Sequence, residues 1–163
     1  MKLVFLHILS CLLFTTVAFS ADQSQKIKVA FTYQFTKYIT WPSDLKTSTF
    51  NIYVSGDDVF AELLGKSLHG REVKGLPVKV SGDMGLAKDG HMYIFKNKLS
   101  KEQLSLVETC KCISIGFYKE QKQEDIVLYQ SGNSFAFDIN HTAIKKRGLY
   151  ISARLLNLAN KVK

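Results

Sequence analysis

The chain is poor in several residue types, and each shortage narrows the reading. It has two prolines, one tryptophan and three cysteines in 163 residues. Cys11 lies in an apolar leader, which leaves Cys110 and Cys112 as a Cys-Lys-Cys pair. Neither has a histidine or further cysteine at ligand spacing, so a thiolate metal site is disfavoured. No apolar run beyond the leader is long enough to span a bilayer. Acidic residues are outnumbered, 14 Asp and Glu against 22 Lys and Arg. The lysines are scattered, and the one basic triple is Lys145-Lys146-Arg147. A solvated face or an anionic partner surface explains it. Catalytic signatures are missing too. There is no HExxH pattern, Walker loop or Gly-x-Ser-x-Gly elbow. His69, His91 and His141 stand apart as surface or strand histidines. The residues therefore predict no catalytic site, no metal and no cofactor.

The first twenty residues have the anatomy of a secretory signal. Met1-Lys2 is a positive start, an apolar stretch follows, and Ala18-Phe19-Ser20 offers small residues at a cleavage site. Cleavage is expected after Ser20, with Ala21 as the neighbouring choice. Residues 21–163 then form one exported domain, a size that can bury a true core. Export argues against nucleic acid as a partner. It also makes a disulfide possible. On an extended strand, residues two apart would place their Cα atoms about 6.6 Å apart, at the edge of acceptable geometry. Two buried thiols are the default; a local bridge and an intermolecular bridge stay open.

Residues 27–42, IKVAFTYQFTKYITWP, organise the rest. Ile27, Phe31, Phe35, Tyr38 and Ile39 recur at helical steps, which predicts an amphipathic helix. Lys28, Thr32, Thr36 and Thr40 are expected mostly away from that face. Pro42 stops the helix, and Trp41 anchors it. Residues 50–54 read as a strand, followed by Ser-Gly and an Asp57-Asp58 helix cap, with Val59, Phe60, Leu63, Leu64 and Leu68 as the apolar side of the helix. Residues 76–80 and 91–95 are further strands; the proline in the first favours an edge or a first position. Residues 81–90 read as loop. Ser100 and Gln103 form a capping box, and 112–117 is the next strand. Residues 126–130 and 134–139 flank Ser131-Gly132-Asn133 as a β-hairpin, with Asp138 on the solvent side. Asn140 caps a short helix ended by Gly148. Ser152 caps a final helix whose apolar face is Leu155, Leu156, Leu158, Ala159 and Val162. The sum is a single layered α/β domain: a mixed sheet, helices on both faces, and a C-terminal hairpin plus helix. The first and last helices are expected as neighbours.

Two separated stretches carry a family resemblance. Tyr33-Gln34-Phe35-Thr36-Lys37-Tyr38-Ile39-Thr40-Trp41-Pro42 resembles the opening motif of the YfiR-like periplasmic proteins, with Gln34 in place of the usual asparagine. Phe137-Asp138-Ile139-Asn140, Ala143, Gly148-Leu149 and the run from Ile151 to Ala159 resemble that family's ending. Residues 53–60 with Leu63 and Leu64 are similar to its strand–glycine–helix turn. The resemblance implies a periplasmic, non-enzymatic α/β protein, sometimes dimeric. It implies restraint of an inner-membrane signalling protein, a diguanylate cyclase or a sensor kinase, through its periplasmic domain, and hence control of cyclic di-GMP and biofilm. A small-ligand-binding periplasmic sensor is the alternative, and a thiol-redox protein using Cys110 and Cys112 is a third reading. Candidate partner contacts are Trp41, Lys145, Lys146, Arg147, Arg154, Leu155 and Leu158.

Overall fold

The computed structural model describes residues 21–42, 47–82 and 89–163. The expected signal segment lies outside them, as does most of the 81–90 loop. Five helices and ten strands follow in chain order. Helix α1 (Ala21–Tyr38) leads into β1 (Ile39–Thr40). Then come β2 (Phe50–Ser55), α2 (Asp58–Leu68), β3 (Glu72–Val73), β4 (Leu76–Ser81) and β5 (Met92–Phe95). Next are α3 (Lys101–Thr109), β6 (Ile113–Gly116), β7 (Ile126–Ser131) and β8 (Ser134–Ile139). The chain closes with α4 (His141–Lys146), β9 (Tyr150–Ile151), α5 (Ala153–Leu158) and β10 (Lys161–Val162).

Eight strands form one mixed sheet in the order β10-β8-β7-β6-β5-β2-β4-β3. From β4 to β7 the neighbours are parallel; β8 turns back on β7, and β3 runs against β4. Strand alternation sends β5 to both sides. Met92 and Ile94 join the main core under α1, α2, α4 and α5. Tyr93 and Phe95 join a second cluster with Leu99, Val107 and Cys112 on the α3 side. Helices therefore cover both faces, as the strand–helix alternation predicts, and α1 touches α5.

The local signals are realised. The Asp57 carboxylate accepts from Phe60 N at 3.1 Å and caps α2. The Ser100 and Gln103 capping box is complete. The β7–β8 hairpin turns at Gly132 with φ +59°, the left-handed conformation that glycine adopts most cheaply. Pro77 lies beside β3, ahead of the β2 pairing, which begins at Val78.

Five expectations need correction. Helix α1 stops at Tyr38, because Ile39 and Thr40 are drawn into a two-stranded antiparallel sheet with Ile151 and Tyr150. Thr32 and Thr36 are buried rather than outward; Thr36 can be, because its hydroxyl donates to Tyr33 O at 2.7 Å. Val59 sits in the first turn of α2 and is 75% exposed. The last helix ends at Leu158, because Lys161 and Val162 pair in parallel with Asp138 and Ile139 and extend the sheet. That pairing also redefines Asp138, which accepts from Tyr129 Oη at 3.0 Å and Asn160 Nδ2 at 3.1 Å.

Candidate functional site: the C-terminal strap and its exposed face

The C-terminal segment is a strap across the end of α1, and its caps decide its course. The Asn140 side chain accepts from Ala143 N at 3.1 Å and starts α4. Gly148, at φ +76°, lets the chain leave that helix at once. Leu149 plugs into the core. Tyr150 and Ile151 pair with Thr40 and Ile39, and Ser152 N donates to Tyr38 O at 2.9 Å. The Ser152 hydroxyl then accepts from Leu155 N at 3.2 Å and opens α5. A six-residue helix has little stability alone; this one is held by Leu155, which is buried against the core.

The seven partner contacts expected from sequence divide sharply. Trp41 is 2% exposed. Its indole N–H donates to Thr36 O at 2.9 Å, and its ring meets Phe50 edge-on at 4.9 Å. It closes the core and offers nothing to a partner as the protein stands. Leu155 is likewise a core side chain. Arg147 is not a solvated cation. Its guanidinium lies 2.6 Å from the buried Asp125 carboxylate and donates to Cys112 O at 3.3 Å, so it bolts α4 to β6 and β7. Asp125 is further held by Ser114 N and Ser114 Oγ, at 2.8 and 2.9 Å. Lys145, Lys146, Arg154 and Leu158 are exposed. Arg154 and Leu158 stand one turn apart on the outer side of α5.

Sequence reasoning missed two members of this face. Tyr38 is half-buried beside Arg154, whose guanidinium lies 5.6 Å from the ring centroid, within cation–π range. Tyr150 is 59% exposed, opposite Thr40. The tyrosines are visible in the sequence, but their neighbours come from a strand pairing too short to leave a pattern. Tyr150, Arg154 and Leu158 are exposed on this one segment, and tyrosine and arginine are residue types that interfaces favour.

The other candidates resolve as structure. Cys110 and Cys112 form a disulfide with Cα atoms 5.2 Å apart, in place of two free thiols. Cys110 is the C-cap of α3, off any strand. His91 is buried. It stacks on Phe50 at 4.7 Å, accepts from Asn51 N at 3.0 Å through Nδ1, and burial pulls its pKa down. Among the described residues no group of His, Cys, Asp or Glu is arranged to hold a metal ion. No described helix is long and apolar enough to cross a membrane.

The fold thus defines a class: an α/β layered domain whose C-terminal segment leaves Tyr150, Arg154 and Leu158 exposed. The model of the YfiR/HmsC-like family matches residues 25–160, from within α1 to just past α5, and the chain belongs to that family. A search of curated proteins found no match.

Proposed function

We propose that the protein is a periplasmic regulator that works by binding, without catalysis. Its target is the periplasmic sensing domain of an inner-membrane signalling enzyme, specifically a diguanylate cyclase, whose output it restrains. The observation that carries this reading is the family match over 25–160. The signal-like first twenty residues support the compartment, and the exposed Arg154, Leu158 and Tyr150 supply the contact. A regulator of this kind needs only unequal affinity for two states of its partner. Lys145 and Lys146 add charge at the rim, where they affect encounter rate and salt dependence.

The test is genetic and biochemical. Deleting the gene is expected to raise cellular cyclic di-GMP, and the wild-type protein is expected to retain a cyclase from solubilised inner membranes. Leu158→Asp and Arg154→Glu should lose the retained cyclase while melting as the wild type does. Unchanged cyclic di-GMP together with an unchanged set of captured membrane proteins in these variants would overturn the proposal.

A further inference from the structure

The parallel strands lie in the order β4-β2-β5-β6-β7. From β2 the chain moves to β4 on one side, then crosses to β5 on the other. The winding direction therefore reverses between β2 and β5. In open α/β sheets, ligands bind in the crevice outside the strands' carboxyl ends at such a reversal. Here the ends at the reversal carry residues 56–57 after β2 and 96–98 after β5, and the next strand along, β6, is followed by 117–124.

Residues 96–98, Tyr118 and 120–124 line an open cleft of about 610 Å³ between the ends of β5 and β6, beside the reversal. One side chain fixes its wall. The Gln121 oxygen accepts from Phe117 N at 2.8 Å and Tyr118 N at 2.9 Å. Its nitrogen donates to Phe95 O, Asn97 O and Glu124 Oε1, each at 3.2 Å. Gly116 makes the room: a Cβ there would lie 2.6 Å from Gln121 Oε1. The cleft is held open by this network before any ligand arrives, as ligand pockets usually are.

Its charge is unbalanced. Lys96, Lys98 and Lys122 line it. Lys28 stands beside it, its ammonium 4.8 Å from the Phe117 ring centroid and 5.9 Å from that of Tyr118. Among the nearby acids, Asp57 already caps α2 and pairs with Lys96 at 3.5 Å. Glu124 is buried and accepts from Gln121 and Gln123, and burial pushes its carboxyl up. Glu120 is the acid left on the rim. Lys98 and Lys122 have no carboxylate at ion-pair distance among the described residues. Burial also pulls the Lys28 pKa down, so an added anion there would be favoured. Tyr118 offers a ring that is 46% exposed.

We propose that this cleft is a binding site for a small anion bearing a planar group, such as an aryl or nucleoside phosphate or an aromatic carboxylate. The anionic group sits among Lys96, Lys98 and Lys122, and the planar group lies against Tyr118. The site is built from different loops than the strap, so it stands or falls independently of the partner reading.

Calorimetric titration of the purified protein with phenyl phosphate, adenosine monophosphate, benzoate and inorganic phosphate tests it. Phenyl phosphate is expected to saturate one site and to bind about tenfold tighter than inorganic phosphate, the gain of one ring contact. A Lys98→Ala/Lys122→Ala double variant should weaken phenyl phosphate by about tenfold or more with an unchanged melting temperature. Tyr118→Ala should erase the preference for phenyl phosphate over inorganic phosphate. Lys79→Ala, at an exposed lysine of β4 outside the cleft, should leave phenyl phosphate affinity unchanged. Absence of saturable binding by all four probes at millimolar concentration would overturn the proposal. So would binding that survives the Lys98/Lys122 double variant, or that falls equally in the Lys79 one.

Discussion

At the amino ends of β2 and β5 the aromatic rings are closed in; at the carboxyl end of β6 they share their space with lysines. Trp41, Phe50 and His91 pack ring against ring; Trp41 Nε1 and His91 Nδ1 are bonded to backbone, and His91 Nε2 meets the Thr47 hydroxyl. At the other end Phe117 lies under the Lys28 ammonium and Tyr118 reaches solvent. Helix α1 joins the two ends, with Lys28 near its start and Tyr38 at its finish. Ring number does not separate these regions. What separates them is whether the neighbouring polar groups already have partners. Where they do, the region is core; where cations are left over, it is available for binding.

The largest change should come from breaking the closed end. Trp41→Ala removes the ring that seals the core and should cost about 3–5 kcal/mol, read by chemical denaturation. A loss below about 1 kcal/mol would mean that the indole is no core anchor. Arg147→Ala should cost a similar amount, about 3–5 kcal/mol, because it leaves the Asp125 carboxylate buried beside no cation. Gly116→Ala acts at the open end and is smaller. The new methyl displaces the Gln121 carboxamide, for about 1–3 kcal/mol by the usual cost of overpacking.

The smallest effect is on pH dependence. Burial holds the folded His91 pKa below its value in the unfolded chain. Its contribution is present above the unfolded pKa and is lost as pH falls through the folded value, because the unfolded chain then binds the proton better. Melting temperature should therefore decline between pH 7 and pH 5 in the wild type. His91→Gln should lie lower at pH 7 and show a shallower decline. A wild-type curve that stays flat or rises over that interval would remove His91 from the account.

Local signals in the sequence were sufficient for the helix caps, the glycine turns and the hairpin, because each is written within four or five residues. Asp57, Ser100, Asn140 and Ser152 all start helices where their residue types say they should. The misplaced helix ends share one cause. Strands β1, β9 and β10 have two residues each, too few to show a period of two, and each is specified by a partner far along the chain. The same blindness affected the strap. Arg147 reads as surface charge until Asp125, twenty-two positions earlier, is placed against it. Arg154 was legible as the odd residue in a leucine-rich helix; Leu158 reads as part of the same apolar face as Leu155, and that it points outward while Leu155 points inward follows from packing. Thr36 misled because a threonine that can bond its own helix backbone counts as polar in a pattern while being cheap to bury; Thr32 is buried with its hydroxyl unpaired, and the sequence carries no sign of that.

The pairing of residues 39–40 with 150–151 has a kinetic consequence. It closes a loop more than a hundred residues long, and the entropy of that closure is lost before the contact returns anything. The end of the first helix thus gains this partner only when almost the whole polypeptide has been made, while its packing on α2 is available far earlier.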